Sequence, residues 1–140
     1  MVFRGQVKVL NALFLSAVIM ISDSRLMAKE SNIHDGPSTI KAGNHIVTLT
    51  IEPRPVCAMK ELTFNLTVTP CDKMPDRLLL DLSMPGMQMG KNQVTLFKKS
   101  ASLYEGEGII VRCMSRQTLW QVTILSDELN NPVFTINVRE

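Results

Sequence analysis

Met84, Met87 and Met89 stand at i, i+3 and i+5 in the stretch "DLSMPGMQMGKNQVTLF", around a Pro-Gly turn. Thioether sulfur is a soft donor, suited to Cu(I) and poorly matched to Mg²⁺ or Ca²⁺. So short a spacing lets the sulfurs converge without a long loop closure. Cys113 or Cys57 would complete a set of three or four sulfurs. Methionine also fills irregular gaps well, so the same residues suit an apolar plug over the end of a small core, or a Met-rich surface for another protein.

The elements that must hold these residues read as strands. From Asn44 onward the apolar period is two almost throughout. "HIVTLTIEP" sets Val47, Leu49 and Ile51 against Thr48 and Thr50, and "KELTFNLTVTP" sets Leu62, Phe64, Leu66 and Val68 against Glu61, Thr63, Asn65 and Thr67. "RLLLDLS", "NQVTLFK", "YEGEGIIVR", "TLWQVTIL" and "PVFTINV" add five short runs, with no amphipathic helical pattern between them. The expectation is an all-β domain over 44–140, an immunoglobulin-like antiparallel β-sandwich of about seven strands, with a small closed barrel as its competitor. Trp120, Val122 and Ile124 share a face, which places Trp120 in the core. Glu105 and Glu107 alternate with Gly106 and Gly108, which predicts a solvated face opposite glycines that let the sheet bend or pack closely.

If consecutive strands run alternately up and down, the connections alternate between the two ends. Residues 53–59, 84–90 and 113–117 then share one end, which collects Cys57, Met59, Met84, Met87, Met89, Cys113 and Met114. Cys71 and Met74 fall at the other.

The first residues bear on compartment. Arg4 and Lys8 precede a mostly apolar run from Val9 to Ser22, after which polar residues return. This is the plan of a secretory leader, and the run is too short and interrupted for a comfortable spanning helix. Residues 1–28 are therefore expected to be a signal peptide, or at most an N-terminal membrane anchor, its segment helical. The Gly- and Pro-bearing residues 29–43 are expected to be a flexible tether. The expected location is extracytoplasmic, in a periplasm or on the outer side of the cytoplasmic membrane, with membrane contact only through an uncleaved leader. Arg4, Lys8 and Arg25 against Asp23 belong to that leader, so twelve basic and twelve acidic side chains remain and the domain is neutral. That balance gives no electrostatic footprint for nucleic acid.

In an oxidising compartment two cysteines within reach form a disulfide. The shared end favours a Cys57 to Cys113 bridge with Cys71 left as a free thiol. A reduced chain would instead free Cys113 as a metal ligand.

No enzyme motif emerges. His34 and His45 have no paired carboxylates nearby and match no metalloenzyme spacing. No serine sits in a nucleophile elbow, and no cysteine lies in a motif for nucleophilic use.

"AMKELTF", "DLSMPGMQMGKNQVTL", "YEGEGIIVRC" and "LW" followed by an alternating strand together resemble the YtkA-like extracytoplasmic domains, related to FixH-like proteins, over roughly residues 46–138. The resemblance implies an immunoglobulin-like sandwich outside the cytoplasm, in settings of copper handling or respiratory oxidase assembly, with no catalytic residues to carry over. Gln88 and Lys91 flank the methionine turn where similar proteins often carry a histidine, and Arg116 stands where a glycine is common. The expected function is an exported, non-enzymatic accessory protein. It would hold Cu(I) on Met84, Met87 and Met89 with Cys113 and pass it to an exported or membrane-bound acceptor. The alternative is a metal-free module docking onto a membrane or envelope partner.

Overall fold

The computed structural model describes residues 32–140; the expected leader, residues 1–28, lies outside them. Eight strands follow in chain order: β1 Ser38–Ala42, β2 His45–Glu52, β3 Glu61–Thr69, β4 Arg77–Ser83, β5 Gln93–Lys98, β6 Leu103–Ile109, β7 Leu119–Leu125 and β8 Val133–Asn137, with one 3₁₀ turn at Asp127–Leu129. All pairings are antiparallel, in the hydrogen-bonded order β1-β2-β3-β6-β5-β4-β7-β8. The period-two runs become strands because each can bury alternate side chains while the intervening polar ones stay wet. β3 buries Leu62, Phe64, Leu66 and Val68, β4 buries Leu78, Leu80 and Leu82, and β7 buries Trp120, Val122 and Ile124. These residues join one hydrophobic cluster.

The tether expectation is corrected over its C-terminal part. Residues 38–42 form β1, paired with β2 from Ser38↔Leu49 to Ala42↔His45 across a two-residue turn. Gly43 takes φ 60°, the left-handed conformation such a turn requires. Upstream of β1, Ile33 is buried, and His34 Nδ1 accepts a hydrogen bond from the Val56 N–H at 3.0 Å. Enthalpic anchoring of this kind removes the freedom a linker needs, so the ordered domain starts by residue 32.

β5 and β6 are joined by only two residue pairs, Phe97↔Glu105 and Lys98↔Tyr104. Beyond them β5 lies across the buried side of β6. An added Cβ on Gly106 would stand 2.2 Å from the Thr95 carbonyl oxygen, and one on Gly108 would stand 2.4 Å from Val94 Cγ2. The two glycines thus open room for a neighbouring strand, and Glu107 points to solvent on the opposite side. Two long connections cross the sheet. Residues 70–76 lead from β3 to β4, and residues 110–118 lead from β6 to β7. The first is strapped down by Tyr104, fully buried, whose hydroxyl donates to the Pro75 carbonyl.

Candidate functional site

Strand direction alternates without exception from β2 to β8, since β3 pairs antiparallel to β6 and β4 antiparallel to β7. Connections 53–60, 84–92 and 110–118 therefore share one end, as the alternating pattern predicts. Their contacts agree: the Met59 N–H bonds the Ile110 carbonyl at 2.8 Å, and the Cys113 and Met87 sulfurs lie 3.8 Å apart.

That sulfur pair is the centre of the site. The Pro-Gly turn closes with the Met87 N–H on the Met84 carbonyl at 3.2 Å, and a second turn closes with the Arg116 N–H on the Cys113 carbonyl at 3.1 Å. Each turn projects one sulfur toward the other. Ser115 completes the cluster, its hydroxyl 2.8 Å from Cys113 Sγ and 3.9 Å from Met87 Sδ. The Ser115 hydroxyl, followed by the backbone N–H groups of Ser115 and Gln117, stabilises the Cys113 thiolate and holds its pKa below the ordinary thiol value, outweighing burial and the Glu140 charge. The turn carries Arg116 at φ 59°, a left-handed conformation that costs a non-glycine residue and that glycine adopts freely.

The other expected ligands take different roles. Met84 is buried in the hydrophobic core at 2% exposure, and Met89 is half-buried against the same core; both act as the plug. Met87 is 40% exposed and stands at the surface. The structure thus separates the methionine triad that sequence spacing grouped, because a turn residue facing inward meets the core before it meets its neighbour's sulfur.

The expected disulfide is not formed: Cys57, Cys71 and Cys113 are all free thiols. Cys57 and Cys113 share an end but face different neighbours. Cys57 pairs in a short parallel bridge with Arg139 near the C-terminus, and its Sγ is directed to the Pro55 carbonyl at 3.4 Å. Cys113 is turned to the methionine loop. The C-terminal pairing was not visible in the sequence, since Val138 and Arg139 only extend the last apolar run. Ser115 was also missed, although its place two residues after a cysteine in a tight turn is a usable signal.

Among the described residues no group of three or more His, Cys, Asp or Glu side chains could hold a metal ion, so a metal at this end would depend on thioether sulfur. A groove of about 520 Å³ beside the site is lined by Asn32, His34, Arg116, Thr118 and the C-terminal residues 137–140. Fold and site together define an all-β protein with a sulfur-bearing loop end. No protein-family model, curated protein or solved structure matches the chain.

Proposed function

We propose that this protein is an exported, non-enzymatic accessory protein that carries Cu(I) at the Met87–Cys113 pair. The carrying observation is the 3.8 Å separation of the two sulfurs. Two metal–sulfur bonds of about 2.3 Å, opened to roughly 110°, span about 3.8 Å, so a soft cation could bridge them with little loop movement. Thiolate character at Cys113 favours the same cargo, since the thiolate and not the thiol is the ligand. Met89, half-buried beside the turn, is available as a third donor, while Met84 stays with the core. The YtkA-like resemblance, the leader and the extracytoplasmic location belong to this reading. So does a two-layer immunoglobulin-like arrangement, supported by the thin β5–β6 joint and the single core that both halves of the sheet line.

Anaerobic titration of the full chain with Cu(I) against a chromophoric chelator tests the proposal. Met87→Leu and Cys113→Ser should each abolish competitive binding, and Met84→Leu should leave it intact. Unchanged binding in the Met87→Leu, Cys113→Ser double variant would overturn it. The alternative, a metal-free docking module, is favoured by the exposed apolar side chains at the same end.

A further inference from the structure

We infer that the open edge of β8 pairs two copies of this chain, β8 against β8, about a twofold axis at Thr135. The path of the backbone hydrogen bonds supplies the first observation. The Ile124 N–H bonds the Pro132 carbonyl at 3.0 Å, and the Val138 N–H bonds the Thr118 carbonyl at 2.8 Å. With Val122↔Phe134 and Trp120↔Ile136 in register, the even-numbered residues of β8 direct their backbone groups to β7. The N–H and C=O groups of Val133, Thr135 and Asn137 therefore point the other way, and among the described residues no backbone group bonds them. β8 is the last strand of the sheet order. The chain covers this edge at one residue and then stops. Arg139 donates to the Val56 carbonyl at 2.9 Å and accepts from the Ala58 N–H at 2.7 Å, which makes the parallel bridge at Cys57. Continuing that ladder would bring the Val56 N–H to the Asn137 carbonyl, but this N–H is given to His34 Nδ1. Native edges are guarded by charge, proline, a bulge or a cover. The opposite edge, β1, follows Pro37 and carries the exposed Lys41. β8 reads "VFTIN", with no charge, no proline and no break in its register.

The shape of the window selects its occupant. An incoming antiparallel strand must leave the sheet opposite Arg139, where the Cys57 bridge already stands. β8 does this by itself: centred on Thr135, the residue opposite Arg139 is Asn131, where φ 47°, after φ 57° at Asn130, turns the chain. That turn leads back to β7, on the far side of β8, and so away from the bridge of the other copy. In this register Thr135 faces Thr135 and each Val133 faces Asn137 of the other copy, with two backbone bonds in each pair. Threonine opposite threonine is a favourable cross-strand pair. Val133, Thr135 and Asn137 at the joint, and Leu119, Gln121 and Thr123 behind them on β7, bring no charges together, and the exposed Val133 gains cover. The contact is isologous and uses up the unguarded edge, so association stops at two copies. Because the paired strands are antiparallel, the two sulfur-bearing ends face opposite ways and both stay open. The inference does not rest on copper binding.

Sedimentation velocity of the full chain, with reductant present so that the free thiols do not cross-link, should show a mass that rises with concentration from one chain to two and no further. Thr135→Lys and Thr135→Glu, each at an exposed position, should stay at one chain over the same range, because each meets its own charge across the axis. Circular dichroism should show both variants folded. An equal mixture of the two should regain the two-chain mass, a rescue that a purely structural role for Thr135 would not produce. A parent that stays at the mass of one chain at every concentration would overturn the proposal. So would a two-chain parent whose mass Thr135→Lys leaves unchanged, which would place the contact on another surface, and so would a mixture that remains at one chain.

Discussion

Cys113 Sγ lies 3.8 Å from Met87 Sδ, although the two stand twenty-six positions and two strands, β5 and β6, apart in sequence. The contact exists because connection 110–118 crosses from β6 to β7 past the end of β4, where the methionine turn emerges. Ser115, 2.8 Å from the thiol, converts that packing contact into a polarised one.

The thiol should titrate early. Alkylation of Cys113 by iodoacetamide, followed peptide by peptide by mass spectrometry, should give an apparent pKa below the ordinary value of 9.0, the main cause being the Ser115 hydroxyl. Ser115→Ala should move it back up. A lowered folded-state pKa contributes stability that is present above the unfolded value and lost as pH falls through the folded one. Urea unfolding of Cys113→Ser should accordingly show less dependence on pH across that window than the parent.

Tyr104→Phe should cost about 1–2 kcal/mol in urea unfolding, because the Pro75 carbonyl loses its donor where connection 70–76 crosses the sheet. Burial, then the charges of Asp76, Cys71 and Glu128, raise the Tyr104 pKa above 10.0. The raised value means that its contribution is complete below pH 10.0 and is lost as pH rises through the folded pKa. The parent should therefore lose more stability than the phenylalanine variant on going to strongly alkaline pH.

Gly106→Ala should destabilise by about 3 kcal/mol or more, since the added carbon would meet the Thr95 carbonyl oxygen at 2.2 Å and backbone must move. Gly108→Ala meets only the Val94 side chain. Pairing it with Val94→Ala should recover much of the loss, while no such partner rescues Gly106→Ala. Chemical denaturation of the singles and the double separates the two cases.

Arg116→Gly should stabilise the fold by up to about 1 kcal/mol, because φ 59° is strained for arginine and open to glycine. A higher midpoint of thermal unfolding in the glycine variant checks it.

Much of this molecule was legible from alternation alone. The seven runs from His45 onward all became strands, and Trp120 entered the core, because a period of two leaves one face to bury whatever the partners are. The alternation of direction then placed the methionine and Cys113 connections at one end before any contact was known. β1 was hidden by composition: "STIKA" looks polar, yet Gly43 and Asn44 form a hairpin turn that sends it back along Thr48 and Leu49. A short edge strand with Ser38 and Ala42 inward carries too little apolar signal to be seen without its partner.

By itself, then, the sequence determined the strands and the end that collects sulfur, since these depend on period and direction. Only the tertiary structure decided which sulfurs meet. Met84 turns inward because the core beneath it has room for an apolar side chain, and Met87 is left to face Cys113. Cys57 is drawn instead to the C-terminal residues by its pairing with Arg139. Side-chain direction at a turn is set by what packs against it, and those neighbours come from distant parts of the chain.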